Sequence, residues 1–144
     1  MRGLLLLHPV GMQFYFVHPA ASFVAVNLAL ALTRLCKLRV GLLDADISGP
    51  SVPHLMNVAG IKPQLTEMEP SQIIPLQNHG IHCMSMGSLV EQGKALAWRG
   101  PMAGKALEQL LFGVVWGRLD VLVIDMPPGT GVYTCLLLLS ARSP

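Results

Sequence analysis

The stretch LLDADISGPS, residues 42–51, decides the fold of this chain. A second stretch, VLVIDMPPGTG at residues 121–131, has the same design. Each is a short apolar run, typical of a buried parallel strand, that stops at an aspartate followed by a turn rich in glycine and proline. In open α/β sheets, ligands bind at the carboxyl ends of the strands, and carboxylates there suit a nucleotide with its magnesium ion.

A glycine-rich loop with a lysine should complete such a site, between the first strand and the first helix. At that place the chain reads VHPAAS, residues 17–22. The sequence therefore predicts the acidic side of a nucleotide site without the loop that holds the phosphates.

The composition predicts one domain with a large apolar core. The chain has 144 residues, of which 52% are hydrophobic and 12% charged. The mean hydropathy of +0.54 is high for a monomer of this size, which indicates apolar surface intended for elements or partners outside this sequence. The net charge of +2 comes from scattered residues, so nucleic acid is not an expected partner.

The cysteines and the apolar runs near both termini argue against a secreted, zinc-binding or membrane-spanning protein. Three well-separated cysteines, Cys36, Cys83 and Cys135, favour free thiols in a reducing compartment. His82 and Cys83 would point to opposite faces of a strand, which argues against a zinc site. The apolar run at residues 4–7 is too short for a secretory signal, and the run at residues 136–139 is too short to cross a membrane.

Alternating strand and helix patterns predict an α/β fold, a doubly wound parallel sheet. Ser22 is expected to cap a helix over residues 23–35, and residues 62–77 are expected to form an exposed connection. The predicted strands cover residues 12–17, 39–44, 81–85 and 121–125, with further helices over residues 54–58 and from residue 101.

Four signatures in this order resemble the Mrp-type P-loop ATPases that carry iron–sulfur clusters. They are DAD with GPSVP at residues 44–53, CMSMG at 83–87, WRGPM at 98–102, and DMPPGTG at 125–131. Among these ATPases the chain is most similar to the mitochondrial type that serves complex I assembly. The resemblance implies a P-loop NTPase-like domain, truncated here to residues 22–131, with a divergent segment at 1–21 and a divergent tail at 132–144.

The resemblance also implies roles for individual residues. Asp46 would be catalytic, because its counterpart orients the attacking water, and Asp125 would hold magnesium through its water shell. Asp44 would support the turn of the nucleotide and magnesium site. Ser22 corresponds to the serine that follows the loop lysine. Gly129 and Gly131 would let backbone N–H groups approach the γ-phosphate of ATP.

The chain departs from the family at both ends. Ala21 replaces the loop lysine, Phe16 replaces a second signature lysine, and Val132 replaces an aspartate. The paired cysteines that hold the family's 4Fe-4S cluster are absent, so no metal site for iron and sulfur is intact here. We therefore expect the ATP and magnesium chemistry of the family to be defective in this form.

Two other interpretations remain open. The chain could be a non-catalytic dimerisation or regulatory module, acting as a homodimer or as a heterodimer with a complete family member. It could also be a non-functional product of splicing or of a gene model. The resemblance implies apoproteins that receive iron–sulfur clusters as partners and the mitochondrial matrix as the compartment, with the cytoplasm as the alternative.

Overall fold

The structure is a computed structural model and describes residues 3–8, 11–16, 21–46, 49–89 and 100–126. The strands are β1 (Gly3–His8), β2 (Gly11–Phe16), β3 (Val40–Asp44), β4 (Leu76–Asn78), β5 (Ile81–Ser85) and β6 (Val121–Asp125). The helices are α1 (Ala21–Arg34), α2 (Val52–Leu55), α3 (Met86–Leu89) and α4 (Gly100–Phe112).

The six strands form one sheet in the order β1-β2-β6-β3-β5-β4. Strands β2, β6, β3 and β5 are parallel to one another, whereas β1 and β4 add antiparallel edges. The predicted α/β class with a doubly wound parallel sheet is therefore confirmed for the central strands, and the two antiparallel edge strands were not predicted. Because parallel strands share a direction, their carboxyl ends meet along one edge of the sheet.

Helices cover both faces of the sheet, as the alternation of side chains requires. On one face Leu42, Cys83 and Val123 pack against Ala25 and Ala29 of α1. On the opposite face the next residue of each strand packs against the apolar side of α4. The second group comprises Leu43, Met84, Ile124, Ala106, Leu107, Leu110 and Leu111. The central strands are thus buried on both faces, which explains why they are almost continuously apolar.

The helix boundaries correct two of the predictions. Helix α1 begins at Ala21, so Ser22 lies inside its first turn and the predicted N-cap role is wrong. Helix α2 begins at Val52, two residues before the predicted helix, with Pro53 in its first turn. Proline is tolerated there because the first N–H groups of a helix have no intrahelical partner.

The connection at residues 62–77 is not wholly exposed, contrary to the prediction. Ile73 is 4% exposed and forms isolated bridges with Leu65 and Val114, and the last residues of the stretch belong to β4. Prolines in this stretch hid the short pairing segments from a search for alternating residues. In the part of the chain that the structure describes, no helix is both long and apolar enough to cross a membrane.

Candidate functional site

The carboxyl ends of the four parallel strands lie in register. Phe16 of β2 pairs with Asp125 of β6, Asp125 pairs with Asp44 of β3, and Asp44 pairs with Ser85 of β5. The N–H of Ala45 donates a 2.8 Å hydrogen bond to the carbonyl of Asp125, which continues the pairing beyond the end of β3. One row across the sheet edge therefore brings together two aspartates that are 81 positions apart in the sequence.

Asp44 is a buried carboxylate that holds the following turn. Its Oδ1 accepts a 3.0 Å hydrogen bond from the N–H of Asp46, and its Oδ2 accepts a 3.1 Å bond from the hydroxyl of Ser85. Its side chain is inaccessible to solvent. Burial raises the pKa of Asp44 from 3.8 to about 7, with smaller upward contributions from the charges of Asp125 and Asp46. The N–H of Asp46 and the Ser85 hydroxyl oppose this increase because they stabilise the ionised carboxylate.

Asp125 is also buried, at 1% exposure, and it is bonded to α1. Its carboxylate accepts a hydrogen bond from the Ser22 side chain, which lowers its pKa. Burial has the larger effect and raises the pKa of Asp125 from 3.8 to about 6. Its Oδ2 has no hydrogen-bond partner among the described residues. A buried carboxylate oxygen in that state is a position where a ligand group or ion would relieve an energetic cost.

Asp46 lies at the mouth of the same site and is less buried than the other two aspartates. Its negative charge raises the pKa of both Asp44 and Asp125. Since such an effect falls off with distance, the Asp46 carboxylate lies close to both. The structure therefore brings Ser22, Asp44, Asp46 and Asp125 close together at this edge of the sheet, and their predicted roles stay predictions.

Sequence reasoning missed Ser85 and Gly87, which support the Asp44 turn from the neighbouring strand. The Ser85 hydroxyl oxygen accepts a 3.0 Å hydrogen bond from the N–H of Gly87 while its proton is donated to Asp44. Gly87 in turn packs against Pro50, since a Cβ built on Gly87 would lie 2.6 Å from Pro50 Cγ. The available signal was a serine that ends a buried strand two residues before a glycine.

We expect Gly87→Ala to destabilise the fold by about 1–3 kcal/mol, because the added methyl group must displace the Pro50 ring. Urea unfolding would measure the effect. Gly49→Ala is the matched control, since a Cβ there meets nothing within 4 Å. We expect the control to change the free energy of unfolding by less than about 0.5 kcal/mol. Equal effects of the two substitutions would contradict the close packing of Gly87 on Pro50.

The donor atoms in this site fit a magnesium ion that is shared with a nucleotide. In the described part of the chain, no group of three or more His, Cys, Asp or Glu side chains is placed to hold a metal ion by itself. Magnesium does not need such a group, because it usually binds through one or two carboxylates together with waters and substrate phosphates. The unpartnered Oδ2 of Asp125, beside the Ser22 hydroxyl, supplies oxygen donors of the required kind.

Two groups of predicted site residues lie outside the described residues. Gly129 and Gly131 follow β6 in the sequence, and residues 17–20 lie between β2 and α1 in the sequence. The predicted approach of the two glycines to the phosphate and the predicted defect of the loop at residues 17–20 stay predictions. The same holds for the predicted segment boundaries at residues 21 and 131.

The described thiols and histidines do not gather into a metal site. Cys83 is 2% exposed in the core under α1, and burial raises the pKa of its thiol to about 11. Its neighbour His82 lies on the opposite face, where Nδ1 is 3.2 Å from the carbonyl oxygen of Trp116. Cys36 is exposed beyond the end of α1. Cys83 therefore acts as a small apolar core residue.

Comparison with known proteins shows which family this chain resembles. A family model described as ParA, NUBPL iron-transfer P-loop NTPase, matches residues 20–138. An Arabidopsis thaliana protein named iron-sulfur protein required for NADH dehydrogenase, mitochondrial, is 56% identical over 76% of this chain and 34% of its own length. The iron-sulfur cluster transfer protein NUBPL of Dictyostelium discoideum is 54% identical over 76% of this chain and 33% of its own length.

A solved structure shows the same fold. The nucleotide-binding protein of Archaeoglobus fulgidus, in complex with ADP, superposes with a TM-score of 0.67 at 30% identity, over 83% of this chain and 45% of that one.

The Helicobacter pylori iron-sulfur cluster carrier protein is 50% identical over 76% of this chain and 29% of its own length. The chain thus spans about a third of the length of the curated relatives that it matches.

Proposed function

Because this chain belongs to the NUBPL iron-transfer P-loop NTPase family, we propose that it forms the nucleotide-site domain of an iron–sulfur cluster carrier. One observation carries the proposal beyond the family assignment. The ends of β6 and β3 place Asp125 and Asp44 side by side, and the Ser22 side chain is bonded to Asp125. A buried acidic pair at the carboxyl edge of a parallel sheet suits a magnesium nucleotide.

Each residue of the site has a distinct proposed role. Asp125 and Ser22 would hold the magnesium ion, with the unpartnered Oδ2 of Asp125 directed to it or to one of its waters. Bound magnesium would neutralise charge on the phosphates. Asp46 would accept a hydrogen bond from the attacking water, and Asp44 would fix the backbone of Asp46 through their 3.0 Å contact.

The phosphate side of the site is defective in this sequence. Residues 17–20 offer no glycine, and Pro19 has no N–H to donate to a phosphate oxygen. Ala21 stands where the family has a lysine, whose charge-assisted hydrogen bond contributes about 1.5–3 kcal/mol. We propose that the chain retains the acidic side of the site and does not hydrolyse ATP.

The test is a phosphate-release assay on the purified chain with saturating ATP and magnesium. We expect no turnover above the background given by the Asp46→Ala variant. Turnover by the unmodified chain that disappears in Asp46→Ala would overturn the proposed defect, and it would show that another segment holds the phosphates.

The iron–sulfur cluster is the cargo in this proposal. The 144 residues contain no closely spaced pair of cysteines, so the cluster ligands would come from outside them. We propose that the domain acts in a homodimer or together with a complete family member, and that apoproteins receive the cluster. The name of the Arabidopsis relative supports a mitochondrial location, and we propose the matrix by family resemblance.

A further inference from the structure

A cavity of about 830 Å³ lies beside the candidate site, between α2, the loop at residues 59–65, α3 and α4. Its walls combine apolar side chains with four polar ones, which belong to His54, Lys62, Ser88 and Gln109. The lining residues that matter most are Pro50, His54, Ile61, Lys62, Leu65 and Leu89. A volume of this size accepts several side chains of a ligand.

Two apolar side chains of the wall are left open to solvent. Ile61 is 53% exposed and Leu65 is 60% exposed. Both belong to the loop that forms one side of the cavity, so the described residues leave an apolar surface beside a concave one. Contiguous exposed apolar surface of this kind is typical of protein–protein and ligand-binding sites.

The charged and polar residues of the cavity wall indicate which kind of ligand would bind there. Among the described residues that line the cavity, Lys62 is a cation, His54 adds ring nitrogens for hydrogen bonding, and none is acidic. An anionic group would therefore be attracted to the Lys62 side, whereas Ile61, Leu65 and Leu89 favour an apolar group. A peptide matches this mixture, because its backbone can bond with the polar side chains of the lining while one of its apolar side chains contacts Ile61 and Leu65.

We propose that this cavity binds an acidic peptide segment of a partner protein, with a large apolar side chain of that segment inserted between Ile61, Leu65 and Leu89. The carboxylate of the peptide pairs with Lys62. The cavity shares Pro50 and Gly87 with the packing that supports Asp44, but neither residue is proposed to contact the nucleotide, so the test does not depend on ATP binding.

The test uses a phage-displayed library of random twelve-residue peptides, selected on the immobilised full chain. We expect the selected peptides to be enriched in Asp or Glu together with Leu, Ile or Phe. A synthetic copy of the strongest peptide is then titrated against variants by fluorescence polarisation. Lys62→Glu should weaken binding about tenfold or more, a change that corresponds to at least about 1.4 kcal/mol. Leu65→Asp should weaken it to a similar or greater degree.

Matched controls separate the cavity from the general surface. Met68→Asp changes a 75% exposed side chain in the same connection that does not line the cavity, and Lys37→Glu reverses a charge beyond α1. We expect both to bind the peptide within twofold of the unmodified chain. Three outcomes would overturn the proposal: no selected peptide, which is expected if another part of the chain fills the cavity; peptides without acidic residues; or equal binding by Lys62→Glu and Lys37→Glu.

Discussion

The free energy of unfolding of this chain is expected to fall as the pH rises from about 4 to about 7. Two buried carboxyls cause the change, because the pKa of Asp44 is raised to about 7 and that of Asp125 to about 6, from 3.8 in each case. Within this range the folded chain binds more protons than the unfolded chain, so raising the pH favours unfolding. The two carboxyls contribute their full stabilisation below the unfolded-state pKa of 3.8. This stabilisation is lost as the pH rises through their folded-state pKa values.

The size of the effect follows from the difference between the pKa of each carboxyl in the folded chain and its pKa in the unfolded chain. Each pH unit between them corresponds to about 1.4 kcal/mol, so Asp44 alone accounts for roughly 4 kcal/mol at most. Asp120 has the opposite sign, since its bonds to Arg39 hold its pKa below 3.8. Its stabilising contribution is lost only as the pH falls below that value, so the two effects occupy different ranges.

Asp44→Asn tests the assignment. The amide retains the shape of the carboxyl and stays neutral, so above pH 7 the variant should unfold at a higher urea concentration than the unmodified chain. The difference should disappear near pH 4. Glu67→Gln, which removes an exposed carboxylate, is the control. Parallel stability curves for Asp44→Asn and the unmodified chain between pH 4 and 8 would contradict the role of Asp44.

The sequence predicted the parts of the fold where local pattern and burial agree. Strands β3 and β6 were predictable because continuous apolar runs ending at Asp44 and Asp125 leave few other possibilities. The edge strands were not. Residues 4–7 lie in β1, but a run of leucines has no alternation that would distinguish a strand from another apolar segment. Strand β4 has only three residues and follows a proline-rich stretch, so its pattern is too short to recognise.

Contacts across the site depended on tertiary packing, which the sequence does not display. Ser22 was predicted as a cap from its position before an apolar helix, but α1 begins one residue earlier and the Ser22 side chain bonds Asp125, 103 positions away. The bond from Ser85 to Asp44 depends on the register between β5 and β3. No local pattern encodes that register, since it is fixed by how the strands pack between α1 and α4.

Rebuilding the phosphate loop is expected to give the chain magnesium-dependent ATP binding. The changes restore the two lysines and the glycines that the family resemblance implies, and they leave Ser22 in place. They are Phe16→Lys, Val17→Gly, His18→Gly, Pro19→Val, Ala20→Gly and Ala21→Lys. Glycines allow successive N–H groups to surround the phosphates, and the loop leads into the N-terminus of α1, which favours negative charge.

The expected gain in affinity is large because several terms act together. One charge-assisted lysine bond contributes about 1.5–3 kcal/mol, which corresponds to roughly tenfold to a hundredfold in affinity. Isothermal titration with ATP, with and without magnesium, would measure it. Asp125→Asn in the rebuilt chain is the control, since it should remove the magnesium dependence and leave the loop in place.

Binding should return before hydrolysis does, because the two depend on different residues. The rebuilt loop supplies contacts to the phosphates, whereas the family resemblance implies that turnover also requires an aspartate at the position of Val132. We therefore expect ATP affinity without efficient phosphate release. A folded rebuilt chain that binds no ATP would show that the loop is not the dominant defect. Asp44, Asp46 and Asp125 would then be insufficient to form a nucleotide site within these 144 residues.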